Sequence, residues 1–235
     1  MSQKRNNDVG QFGELPFIRN DNFIWVGDIS NESLIDFYRE FSDKEADDTT
    51  KVIPIIISSY GGEIASLMAM RDLIKSSPKP VATIALGKAM SSGACLLAAG
   101  TKGFRFASQD TLLMFHEVSG GAMGKTSDVV ESAQVMEELN KKLLNNLAED
   151  CGLTFEEIEH QFKTKKNADW TMTAQTAKKW GFIDHIAIPR HITHMPEKEL
   201  AKAFSHEQMK EIERQKEALM REVTKRVRKA VPRRK

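Results

Sequence analysis

The sequence predicts an α/β fold built on a parallel sheet, and two observations carry that reading. Short apolar runs rich in β-branched residues alternate with helical patterns as far as Gly100, which implies right-handed βαβ units rather than a sandwich. Glycines fall at the ends of the apolar runs, where folds of this kind place their sites.

Each element follows from its residues. Phe23 to Val26 reads as a strand and Gly27-Asp28 as a turn, with Ser30 or Asn31 as N-cap of a helix carrying Leu34, Ile35, Phe37, Tyr38 and Phe41. Lys51 to Ser58 (KVIPIIIS) is a second strand, broken by Ser59-Tyr60-Gly61-Gly62 before a helical pattern from Glu63 to about Lys75. Val81 to Leu86 suits a buried strand, and Gly87 to Gly100 (GKAMSSGACLLAAG) turns it into a buried helix. Thr111 to His116 (TLLMFH) is a further apolar strand, followed by a segment with glycines at 120, 121 and 124. Thr126 to about Ala148 is a long amphipathic helix with apolar residues at 129, 130, 136, 139, 143, 144 and 147. Thr154 with Glu157 forms a capping box for a short helix through Phe162, and the charged loop Lys163 to Asn167 follows.

Composition bounds the function classes. At 235 residues and 40% hydrophobic, the chain can bury a full core as one domain, 20–188, with extensions at 1–19 and 189–235. No apolar run approaches bilayer length and the N-terminus has no signal-type apolar segment, so a cytoplasmic protein without a membrane partner is expected. Cys95 and Cys151 make neither a disulfide framework nor a metal site, and neither metal nor cofactor is expected. There is no P-loop, so any ATP dependence has to come from a partner. Segment 1–19 is polar and reads as mobile, while 189–235 holds 14 Lys and Arg against 7 Asp and Glu. That is +7 on the extension, leaving −6 on the remainder; Leu200, Phe204, Ile212, Leu219, Val223 and Val227 suggest a basic amphipathic helix. No pattern of a nucleic-acid reader accompanies it, so nucleic acid is not an expected partner.

The chemistry centres on Ser91 and Ser92. Serine and glycine between a strand and a helix most often form only a cap and a turn. Here Ala89, Gly93 and Ala94 leave room for a serine to project from a tight strand-to-helix turn, much like a nucleophile elbow with Ala89 at its first glycine. Gly61-Gly62 at the end of a strand presents unobstructed N–H groups, one arm of an oxyanion hole whose other arm is the N–H after the nucleophile. His116, ending a buried strand, has an apolar approach and a wet tip, as a general base requires.

Ser58-Ser59-Tyr60-Gly61-Gly62, Gly87 to Ala94, Met114-Phe115-His116, Asp169 before Thr173-Ala174, and Trp180 to Asp184 together resemble the successive motifs of the Clp protease proteolytic subunit family, from about Phe23 to about Ile188. The resemblance implies a serine endopeptidase with a crotonase-like βαβ superhelical fold. A protruding strand and helix form a handle between stacked, heptameric rings of a homo-oligomer around an inner chamber. It implies polypeptide substrates and a Clp-type ATPase docked at axial N-terminal loops, although segment 1–19 lacks the usual family pattern. By resemblance Ser91 is the nucleophile, His116 the base and Asp169 its orienting carboxylate, with the N–H groups of Gly62 and Ser92 as oxyanion hole. Tyr60, Ser92 and Glu117 depart from the usual proline, methionine and glutamine. Two other readings share the fold: a catalytically silent ring or scaffold subunit, and an acyl-CoA hydratase or isomerase, which would not need a Ser/His pair.

Overall fold

The computed structural model describes residues 23–164 and 169–189. The N-terminal segment 1–19 and the basic helix expected within 189–235, apart from Pro189, lie outside the described residues. The order is β1 (Ile24–Val26), α1 (Asn31–Ala46), β2 (Ile53–Ser59), α2 (Ile64–Ser76), β3 (Val81–Met90), α3 (Ser92–Ala98) and β4 (Arg105–Ala107). It continues with β5 (Leu112–Phe115), α4 (Thr126–Cys151), α5 (Phe155–Thr164), β6 (Trp170–Thr173), α6 (Ala174–Lys179) and β7 (His185–Ile186).

The main sheet runs β1-β2-β3-β4-β7 and is parallel throughout. Ile53, Ile55, Ile56 and Ile57 are all buried, the unbroken apolar run expected of a parallel strand covered on both faces. Strand β3 runs four residues past the expected end because Gly87, at φ +75°, lets the chain bend without ending the strand. Before the bend Thr83–Ala85 pairs with β4; after it Lys88–Met90 pairs with β5, which in turn pairs antiparallel with β6. This β3-β5-β6 extension carries the strand ends of interest. Strands β4 and β7, three and two residues long, had no sequence signal of their own.

Caps and packing confirm local expectations and correct others. Ser30 caps α1 in a reciprocal box with Ser33, and Phe37 stacks on Phe41 at 5.5 Å between ring centres. Ile35 and Tyr38 on the same helix are exposed, so only part of the apolar set faces the core. Thr154 and Glu157 exchange both capping-box bonds at 2.8 and 3.2 Å. Helix α4 runs to Cys151 and closes on Gly152 in the left-handed conformation (φ +72°). Leu144 is buried in the core of its own chain, so it belongs to folding and not to an assembly face.

Two charge clusters bind distant segments. Arg105 is buried and donates to both carboxylate oxygens of Asp184 (2.9 and 2.6 Å) and to the carbonyls of Asp150 (2.8 Å) and Gly181 (2.6 Å). Asp150, at the end of α4, is bridged by Arg71 and Lys75 of α2 at 2.8 and 2.7 Å. Buried charges persist only when paired and fully hydrogen-bonded, and both carboxylates meet that condition. Among the described residues no helix is long and apolar enough to cross a membrane.

Candidate active site

Three neighbouring strand ends supply the candidate residues: Ser91 follows β3, His116 follows β5 and Asp169 precedes β6. Their adjacency is a matter of register. Met90 pairs with Met114, and Phe115 with Trp170, the last pair of β5 and β6; His116 and Asp169 are the next residues beyond that pair.

The turn at Ser91 is strained. It has φ +52° and ψ −125°, the sole positive φ of a non-glycine residue among those described. Such a conformation costs on the order of 1–3 kcal/mol and persists only where the surroundings impose it. They do so here through the Ser91 N–H, which donates to Met114 O at 2.7 Å, and the Ser91 carbonyl, which accepts from Ala94 N–H at 3.0 Å. Gly61 presses against the turn: a Cβ there would lie 2.7 Å from Ser91 Cβ and 2.8 Å from Met90 O. No other residue type fits without moving backbone.

The same geometry separates the two serines. Ser92 is buried and its hydroxyl donates to Gly62 O at 2.9 Å, tying the start of α3 to the glycine turn. Ser91 is half-buried, and its hydroxyl has no hydrogen-bond partner among the described residues. The first is a strut; the second is available.

Two backbone donors near it are left over by the local hydrogen bonding. The bridge between Ile29 and Gly62 uses Ile29 N–H to Gly61 O (3.0 Å) and Glu63 N–H to Ile29 O (2.8 Å), and leaves the Gly62 N–H unused by it. Ser92 is the first residue of α3, whose leading N–H groups have no partner within the helix. Ser59, which the sequence did not single out for a role, accepts the Gly61 N–H at 2.9 Å and fixes the glycine turn. Its signal was present: a polar residue two positions before a glycine is a common local turn bond.

His116 is half-buried, and its Nδ1 lies 2.6 Å from the carbonyl oxygen of Glu117. Since a carbonyl only accepts, Nδ1 carries the proton and Nε2 is left as the basic nitrogen. Asp169 is exposed, and among the described residues His116 bonds neither to it nor to Ser91. Asn140, also unanticipated, accepts the Val118 N–H at 3.1 Å from α4.

A groove of about 750 Å³ opens next to Gly62. Its walls include Ile64, Val118, Val135 and Met136, with Gly120 and Gly121 along one side. Neither cysteine belongs to it. Burial pushes the Cys151 thiol up to about 12 and raises Cys95 well above its ordinary value, so both are inert core thiols.

The model of the Clp protease family matches residues 19–190, nearly three quarters of the chain. The chain belongs to the Clp protease family. Among its relatives is the ATP-dependent Clp protease proteolytic subunit 2 of Corynebacterium diphtheriae, 36% identical over 141 residues, which are 60% of this chain and 69% of that protein. The proteins of the same name from Corynebacterium glutamicum and Mycolicibacterium paratuberculosis are 37% and 38% identical over the same length, covering 68% and 69% of those proteins. As a member of the Clp protease family the chain is a serine-type endopeptidase. The strained serine turn lies directly against Gly61 of the glycine pair.

Proposed function

We propose that Ser91, His116 and Asp169 form the catalytic triad of this peptidase, with the N–H groups of Gly62 and Ser92 as its oxyanion hole. The observation that carries the reading is the positive-φ Ser91, whose free hydroxyl stands on a turn that Gly61 and Met114 hold in place. Ser91 Oγ attacks the scissile carbonyl while Nε2 of His116 takes its proton. The two N–H groups bind the oxygen as charge develops on it, in a site already organised for that charge. His116 then protonates the leaving amine, and water releases the acyl group by the same steps in reverse. Asp169, one residue beyond the last β5–β6 pair as His116 is, steadies the imidazolium once the ring exchanges Glu117 O for its carboxylate.

The groove beside Gly62 suits an extended segment of unfolded or exposed polypeptide, with apolar walls for side chains and the backbone of Gly120 and Gly121 for strand-like pairing. The first half of α4 leaves Val129, Val130 and Val135 exposed, which supports a homo-oligomer with α4 as the ring-to-ring handle of a crotonase-like subunit. The names of the relatives call them ATP-dependent, which supports a Clp-type ATPase partner and a cytoplasmic setting.

Fluorophosphonate labelling tests the assignment. Label and peptidase activity should vanish in Ser91→Ala, with a loss on the order of a millionfold for a nucleophile acting as part of a unit, and label should persist in Ser92→Ala. Label surviving in Ser91→Ala, or lost only in Ser92→Ala, would overturn the assignment of Ser91 as nucleophile.

A further inference from the structure

The carbonyl that holds His116 and the N–H that binds Asn140 belong to one peptide unit. His116 Nδ1–H donates to Glu117 O at 2.6 Å, and the next atom pair along the chain, Val118 N–H, donates to Asn140 Oδ1 at 3.1 Å. A peptide unit is planar, so fixing its N–H fixes the direction of its carbonyl. Asn140, from the middle of α4, therefore sets where the acceptor for the His116 proton lies. The amide orientation is not in question, because only its oxygen can accept from an N–H.

Nδ1 carries one proton and two acceptors compete for it. Glu117 O has it here; Asp169, the residue just before β6 as His116 is the residue just after β5, does not. The two differ in their effect on catalysis: either fixes the tautomer, but only the carboxylate balances the positive charge that the ring gains when it takes the serine proton. Three features share one cause on this account: the absence of a bond from His116 to Asp169, the absence of one to Ser91, and the short bond to Glu117 O.

We infer that Asn140 is a positioning residue that holds His116 on the Glu117 carbonyl and away from Asp169, so that α4 sets the resting activity of the peptidase through one peptide unit. The inference rests on the triad reading above. Release of the Asn140 bond lets the 117–118 peptide turn, frees Nδ1–H for the carboxylate and brings the base into its working arrangement. Any contact that shifts α4 against the 117–121 segment acts through the same bond.

The test uses the full chain, a short fluorogenic peptide and a set of variants. Asn140→Ala places a better helix former in α4, and it should raise kcat about fivefold with KM unchanged, the population shift that follows loss of one neutral hydrogen bond of ordinary net strength. Asn140→Asp keeps an oxygen where Val118 N–H needs one and should stay at the parental rate. The gain should disappear when Asn140→Ala is combined with Asp169→Asn, because the released proton then has no carboxylate to meet. An Asn140→Ala protein no faster than its parent overturns the inference, and so does a gain that survives without Asp169. A general packing role for Asn140 predicts loss of activity and not gain. Failure of Ser91 to take the fluorophosphonate identifies the triad reading as the fault, whereas a labelled Ser91 with a slow Asn140→Ala identifies this one.

Discussion

The two halves of α4 look alike in sequence and behave differently in the fold. Val129, Val130, Met136 and Leu139 continue the same apolar periodicity as Leu143, Leu144 and Leu147. The C-terminal half buries its leucines against the core, and its last turn is clamped by Arg71, Lys75 and Arg105 through Asp150. The N-terminal half exposes Val129, Val130 and Val135, rests Met136 against Gly120 and reaches Val118, beyond the end of β5, through Asn140. One half is part of the fold; the other leaves its valines exposed. Asn140 sits at the junction, which is why a change in the free half can reach His116.

The largest effect that would break this comparison lies at Asp150. Replacing it by Ala leaves Arg71 with Glu149 alone and Lys75 without its carboxylate, and losing one partner of a buried ion pair costs about 3–5 kcal/mol. Leu147→Ala in the same half should cost about 2–5 kcal/mol. Urea unfolding monitored by circular dichroism would show both; a loss below about 1 kcal/mol for each would mean that the C-terminal half does not anchor the helix.

These contrasts show which parts of the molecule were legible in sequence. Ser91, Gly61 and Gly62 were legible because strand, glycine and helix signals lie within a few residues of each other and a tight turn is a local event. Asp169 had no local signal and came only from the resemblance; it stands just before β6, the strand that pairs with β5. The extension of β3 past Gly87 was missed because glycine reads as a break, whereas at φ +75° it serves as a bend. Arg105 with Asp184, and Arg71 with Asp150, were invisible because 79 positions separate the partners of each pair and no periodicity links them. The division of α4 was invisible for a similar reason: burial of Leu144 and exposure of Val130 depend on what packs there, not on helical spacing.

A middle-sized effect sharpens the comparison by acid titration. Burial alone would raise the Asp184 carboxyl, but its hydrogen bonds and charge contact with Arg105, joined by the Gly103 N–H, leave it lowered on balance. A carboxylate with a lowered folded-state pKa contributes stability that is present above the ordinary carboxylate range, near 3.9, and is lost as pH falls through its depressed value. Arg105 also holds the Asp150 carbonyl, so acid should loosen the C-terminal half of α4 first. Melting temperature should fall more steeply below pH 4 in the parent than in Asp184→Asn, which starts lower. Parallel pH profiles for the two proteins would remove Asp184 from the account.

The smallest effect on the isolated subunit should come from the free half, and there the consequence moves to assembly. Val130 is 52% exposed, so Val130→Asp removes little buried surface and adds a solvated charge on a helix that Asp and Val tolerate almost equally. Its effect on subunit unfolding should stay within about 0.5 kcal/mol. If the exposed valines are covered by another subunit, the same carboxylate is forced into an apolar contact where it has no partner, at a cost of several kcal/mol. Light scattering should then show a smaller particle at an unchanged melting temperature of the subunit, and peptide hydrolysis should fall with the fraction assembled. Val129, on the adjoining position and 39% exposed, should behave in the same way. A Val130→Asp protein of parental mass and rate would leave the valines of the first half of α4 facing water in the working enzyme, with Asn140 and Met136 as its contacts to the 117–121 segment.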